Sequence, residues 1–345
     1  MPDNVGHMFY YGETPWHRKG SHLQSPANAE DALREGELDW EVELIPLQTV
    51  EKPPSPVSRR MAVVRKDREP GDPSRVLGIV HPGFRPLQNR NGLCLFDALI
   101  GHGRRVYHTG GYLGNGEVVW LLARLPTEIR VRGSDVVEPY MLFTNSHDGT
   151  IAIDFRLTTV RVVCQNTLSL ALADPKTKLI FKRAHQGSYQ ALQAEAEQFF
   201  QFSLKATSAL GNQFRVMSDV PLHVDEFQAF LERLFPLPPR LTSPQADERR
   251  QRLREARVRK IEVTHAAIRE VFTAGIGNGF SVPPAEETLW GALNAITAFV
   301  DHRQTVDGDR YAHSLFGSGA ALKQKAYTLA LSYLPEEERQ AGLFN

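Results

Sequence analysis

Arginine supplies most of the positive charge between residues 55 and 185, and its placement is the first feature of the chain that could do chemistry. Arg59, Arg60, Arg65, Arg85, Arg104, Arg105, Arg124, Arg130, Arg132, Arg156 and Arg161 fall in or beside segments that read as β-strands. A guanidinium is planar, permanently charged and able to grip a phosphate through two parallel hydrogen bonds. Phe84, Tyr107, Tyr112 and Trp120 lie among these arginines. Aromatics interleaved with arginine on a twisted sheet are one way to hold single-stranded nucleic acid. The candidate contacts are Arg85, Arg104, Arg105, Trp120, Arg124, Arg156, Arg161, Gln165 and Asn166. The plainer alternative is a solvated face on which the arginines pair with acids such as Glu117 and Asp154.

Other constellations carry less. Asn294, Thr297 and Asp301 form a polar stripe on a helical pattern, followed by His302 and Arg303; Asn294, Asp301 and His302 make a secondary candidate site, or the stripe is simply the helix's wet side. His147, Asp148 and Asp154 could serve a metal-dependent hydrolase or nuclease. Their spacing lacks the His-Glu-x-x-His or Cys-x-x-Cys patterns, so neither a metal nor a cofactor is expected, and nothing obliges an enzyme. Cys164 could be a thiol near a helix N-terminus, but strand alternation buries it beside Val162, and Cys94 reads as core. The glycines of 108–116 resemble a phosphate cradle, yet a β-like segment follows where a cradle needs a helix, so a hairpin is expected. Arg250, Arg254 and Arg257 share a stripe on a charged helix, which is either a solvated face or a contact for phosphates or an acidic partner.

The elements around these residues follow from their periodicity. Residues 1–26 show no period and read as an extended arm, followed by a short helix from Ser25-Pro26. Trp40 to Leu47 alternates as a strand, and 52–58 is a proline-rich loop. Strands are expected at 61–64 and 75–80, and a helix at 91–103 with Leu93, Phe96 and Ile100 on one face. Asn115-Gly116 and His147-Asp148-Gly149 mark two hairpin turns, and a short strand lies at 129–132. A strand over 158–166 is expected to lead into a helix from Thr167 to Ala173. Beyond residue 186 the pattern is helical: Tyr189 to Ser203, a helix capped by Asp225, a long one from Ser243-Pro244, one over 289–300, and one capped by Ser318. The fold class is α+β, with a hairpin-rich antiparallel sheet packed by helices and then a mostly helical C-terminal region. Three segments are expected: an acidic N-terminal arm at 1–54, a basic α+β core at 55–185, and a helical region at 186–345.

Bulk properties set the class. The 345 residues are 41% hydrophobic and 23% charged, which is the range of ordinary globular domains. No apolar run can span a bilayer and no secretory leader is visible, so membrane association is not expected. Two cysteines argue against a disulfide framework and fit a reducing cytoplasm. The net charge of zero is unevenly spread. Residues 1–54 carry 4 Lys+Arg against 10 Asp+Glu, 55–185 carry 19 against 11, and 186–345 carry 17 against 19. A middle block at +8 points to an anionic partner, unless the acidic arm packs against it and neutralises it.

Several strings carry a family likeness: TPWHRKG (14–20), FRPLQNR (84–90), EPYMLFTNSHDGT (138–150), VRVVCQNTL (160–168) and TLWGALNAITAFVDHR (288–303). Together they resemble bacterial phage/plasmid-like proteins of a large domain-of-unknown-function family, although Arg18-Lys19 depart from the pattern. The resemblance implies a mobile-element setting and brings no activity with it. A hairpin, a further strand and a helix are also similar to the core of single-strand annealing recombinases of the RecT/Redβ class, by fold analogy alone. The expected function is single-stranded DNA binding or annealing. The alternatives are a module acting on a host protein, as a counter-defence or regulatory factor, and the hydrolase above. A homo-oligomer stays open.

Overall fold

The computed structural model describes residues 5–12, 20–133, 135–161, 166–169, 180–239, 248–276, 286–305, 313–314 and 317–340. The first part of the chain gives β1 (Val5–Tyr11), β2 (Ser21–Leu23), α1 (Ala29–Glu35), β3 (Val42–Gln48), β4 (Pro56–Arg65) and β5 (Val76–Val80). Helix α2 (Asn89–Phe96) runs on into a π-turn at Asp97–Gly101. Strands β6 (Tyr107–Leu113), β7 (Val118–Arg124), β8 (Ile129–Arg132), β9 (Asp135–Ser146), β10 (Ile153–Arg161), β11 (Asn166–Ser169) and β12 (Ile180–Arg183) follow. The rest is helical: α3 (Tyr189–Asp219), α4 (Val224–Leu234), α5 (Glu248–Ala274), α6 (Leu289–Ala298) with a π-turn at Phe299–Arg303, α7 (Ser318–Leu331) and α8 (Glu336–Gln340). The α+β class expected from the pattern is the one observed. No helix among the described residues is long and apolar enough to cross a membrane.

A large sheet runs in the order β11-β10-β9-β7-β6-β1-β2, with β12 also on β10 and β8 also on β9. A smaller sheet is β3-β4-β5. Alternation splits each central strand between two faces. Phe9, Leu121, Phe143, Phe155 and Leu157 join the main core with α2, α3, α4, α6 and α7. Met8, Tyr10, Trp120, Leu122, Tyr140 and Leu142 form a second apolar cluster on the opposite face. One core spans the arm, the strands and the helices; Trp290 at the start of α6 donates to Asp135 of β9 at 2.8 Å.

Several local expectations change. The arm supplies β1 between β6 and β2, because Met8, Phe9 and Tyr10 are buried in succession and leave no alternation to read. The cap of α1 is Asn28, whose side chain accepts from Asp31 N–H. In the β6–β7 turn the positive φ angles belong to Gly114 (61°) and Gly116 (117°), with Asn115 between them. Residues 166–169 are a strand, not a helix, because Asn166–Ser169 pair with Thr158–Arg161. Helix α4 is capped by His223 in a capping box with Glu226, two residues before the expected Asp225. Cys94 is exposed on the outer side of α2 while Leu93 and Leu95 are buried, so it is not core. Cys164 lies outside the described residues.

Candidate functional site

The antiparallel register sorts the candidate residues along the large sheet. At one end β6 begins, β7 finishes at Arg124, β8 pairs with the start of β9, and Arg161 of β10 lies opposite Val137. Neighbouring strands lie roughly 4.8 Å apart, so Arg104, Arg105, Arg124, Arg130, Arg132, Arg161 and Asn166 gather at that end. Arg161 and Asn166 are placed by backbone pairing alone. Gln165 lies outside the described residues. Arg85 sits at the far end, where its N–H donates to His185 C=O. Trp120 and Arg156 lie between, on the face of the second cluster. The candidate arginines therefore do not line a single groove.

The gathered end is ordered by ion pairs of unequal quality. Arg124 lies 2.8 Å from both Glu128 and Glu138. The Tyr140 hydroxyl donates to Glu138 at 2.9 Å and sits 2.9 Å from His108 Nδ1. Burial, with Arg124 nearby, pushes His108 down to about 4, so the ring is neutral near pH 7. Arg105 reaches Asp31 at 2.9 Å, and Arg104 donates to Ile100 C=O. Arg130 and Arg132 are 72% and 62% exposed, with acids no nearer than 4.0 and 3.7 Å. Elsewhere the acidic arm neutralises part of the basic block: Arg90 pairs with Glu30 and Asp39, Lys66 with Glu41 and Arg75 with Glu43.

The middle of the sheet is different. Arg156 donates to both carboxylate oxygens of Asp154 at 2.7 Å, and both residues are buried. Lys182 stands 3.8 Å from the same carboxylate. Thr144 and Thr158, both fully buried, flank the pair on the same face.

At the far end the residues read as possible hydrolytic groups separate. His147 is fully buried and turned toward α2, its Nε2 at 2.8 Å from Asn89 Oδ1. Burial pushes it down to about 3, with His185 and Arg65 adding to the shift. Asp148 holds Thr150 through its N–H and hydroxyl, and Asp154 lies on the opposite sheet face. Among the described residues no group of three or more His, Cys, Asp or Glu is placed to hold a metal ion. The end is locked by other contacts. Asn89 donates to Leu38 C=O, Asn145 donates to Leu87 C=O, and Trp40 packs 5.3 Å from His147. Arg65 lies over Trp40 at 4.1 Å while gripping Asp67 and donating to Asn115 C=O. Gly78 of β5 packs so closely that a Cβ there would stand 2.5 Å from Asp148 Cα.

The family comparison bears on all three regions, because a model described as a domain of unknown function, DUF932, matches residues 76–327. The chain belongs to the DUF932 family. No curated protein and no solved structure matches it. The DUF932 span takes in both sheet ends, the buried Asp154–Arg156 pair and the helices through most of α7.

The secondary candidate site is only partly assembled. Asn294 donates back to Trp290 C=O on its own helix. Asp301 meets the buried Lys323 at 2.7 Å, and Ser314 hydrogen-bonds to both. Burial lowers the Lys323 ammonium despite the ion pair. His302 lies beside Asp301 in the π-turn. Lys323 and Ser314 carry no sequence signal, since each sits alone in an otherwise ordinary helical or loop context. Asn89 and Trp40 were equally hidden, because the partners that give them a role are 51 or more residues away in sequence for Asn89 with Leu38, and farther for Trp40 with His147.

Proposed function

We propose that the protein binds single-stranded nucleic acid, DNA first, along the arginine-bearing end of its large sheet. The observation that carries this reading is the register that collects Arg104, Arg105, Arg124, Arg130, Arg132 and Arg161 at one end. Among them Arg130 and Arg132 are mostly exposed and only loosely paired, at 4.0 Å to Glu128 and 3.7 Å to Glu286, so their guanidinium groups keep capacity for phosphate. The motif resemblance to phage/plasmid-like proteins supports a role on a mobile element, where annealing of complementary strands is the sharper form of the same activity.

The test is anisotropy of a labelled oligodeoxythymidine of about 30 nucleotides across a salt series. Binding should weaken with salt, with a slope that shrinks by about 0.7 for each phosphate contact removed. Replacing Arg104, Arg105, Arg130 and Arg132 by Gln should reduce both affinity and slope. Absence of binding by the native protein at low salt would end the reading.

A second reading has its own support. Strand β5 is an edge of the small sheet, and Val76 and Ile79 on it are 49% and 58% exposed. An exposed apolar edge strand can add a strand from a protein partner. Capture of a host protein that survives nuclease treatment and is lost on Ile79→Lys would favour this reading.

A further inference from the structure

Helix α5 combines two halves with different surroundings. Its buried residues are His265, Ile268, Val271 and Phe272, all in the second half. The first half, from Glu248 to Thr264, is exposed or half-buried at every position. Residues 248–260 carry 7 Lys+Arg against 2 Asp+Glu. A helix with no buried stripe gains little from packing, so its charges decide how well it holds.

Those charges are segregated. Glu248, Glu255 and Glu262 recur every seven residues and therefore share one stripe. Arg252 lies 3.3 Å from Glu248, and Arg259 stands at the same i+4 spacing from Glu255. On the other side Arg250, Arg254, Arg257 and Lys260 follow one another at three- and four-residue intervals. None of the four has an acid three or four residues away within α5. Like charges at that spacing oppose the helix. Arg254 is tied to the carbonyls of Pro238 and Pro239, which fixes the stripe's base against the body.

We infer that the first half of α5 is a second nucleic-acid contact, a phosphate-binding stripe formed by Arg250, Arg254, Arg257 and Lys260. The inference rests on the nucleic-acid reading above and extends it to a surface remote in sequence from the sheet end. The stripe spans about 15 Å, at 1.5 Å per residue. That length suits several successive phosphates of one strand. A polyanion relieves the repulsion among the four cations, whereas a protein interface needs apolar anchors at its centre. Leu253 and Val263 are the large apolar side chains exposed in this half of the helix among the described residues, too few to make such a centre. The same lack of an apolar face disfavours a lipid surface.

The test uses the full chain and the oligodeoxythymidine probe already described. The triple variant Arg250→Gln, Arg257→Gln, Lys260→Gln alters exposed positions only. It is expected to weaken binding at least fivefold at low salt and to reduce the salt slope by about 2, at roughly 0.7 per single-strand phosphate contact. The matched variant Arg250→Lys, Arg257→Lys keeps the charge and should keep the slope. Native binding with an unchanged triple variant would overturn the α5 stripe and leave the sheet-end reading standing. A lysine variant that loses as much as the glutamine variant would also overturn it, since charge would not be the cause. A native protein that binds no oligonucleotide would remove both.

Discussion

The two ends of the large sheet use the same residue types for opposite purposes. At the hairpin end, buried polar groups each take a partner within the fold: His147 through Nε2 on Asn89, Asn145 through its amide N–H on Leu87 C=O, and Arg65 clamped between Trp40, Asp67 and the Asn115 carbonyl. At the other end, Arg130 and Arg132 stand in solvent and pair only loosely, with Glu128 at 4.0 Å and Glu286 at 3.7 Å. Burial makes the difference. A buried charge or ring must find its partner inside the protein, and once found that partner holds the architecture together. An exposed guanidinium keeps its capacity for something external. The conspicuous Ser-His-Asp-Gly string of residues 146–149 thus reads as a structural lock, and the less conspicuous arginines as the part able to meet a partner.

The contrast can be broken most forcefully in mid-sheet. Arg156→Ala should cost about 3–5 kcal/mol, because it leaves the Asp154 carboxylate buried without its bidentate partner; urea unfolding measures it. A loss of oligonucleotide binding in that variant would then report unfolding, not a lost contact. At the hairpin end, Gly78→Ala should cost about 1–3 kcal/mol by forcing the Asp148 backbone away, and a thermal melt would show a lowered midpoint.

Acid should find the same end. His147 has an ordinary value of 6.5 and is held at about 3 in the fold. Above about pH 7 the ring is neutral in both states and contributes no pH dependence. As pH falls below 6.5 the unfolded chain takes up a proton that the fold refuses. Stability therefore drops by about 1.4 kcal/mol per pH unit from this group, down to about pH 3. Denaturation midpoints at pH 7 and 5 check it, and His147→Gln should flatten the slope by one proton. The smallest effect belongs to the arginine end. Arg130→Gln with Arg132→Gln should leave the melting midpoint where it was while reducing oligonucleotide affinity. A large stability loss there would erase the distinction between the ends.

The sequence carried the fold class and most of the strands, because the Asn115-Gly116 turn signal before the apolar run Val118–Arg124 and the helical spacing after Tyr189 are local properties. It misplaced what depends on distant pairing. Asn166–Ser169 reads as a helix start until β10 supplies a ladder, and Val5–Tyr11 has no period because the strand is largely buried. The arginines were visible as a set, but which of them are tied up in ion pairs depends on acids distant in sequence, such as Asp31 against Arg105 and Glu138 against Arg124. His147 and Asp148 suggested chemistry by type. Only the packing of α2 and β5 around them shows them as part of the frame.

The position of β1 separates the family's span from the unit that folds. The DUF932 match begins at residue 76, yet β6 takes β1 as its outer neighbour, with Phe9 opposite Gly110. A fragment beginning at residue 76 would strip that partner away and leave the hydrogen-bonding groups of β6 open to another chain. Such a fragment should self-associate on expression, and adding residues 1–75 back as a separate polypeptide should restore its solubility.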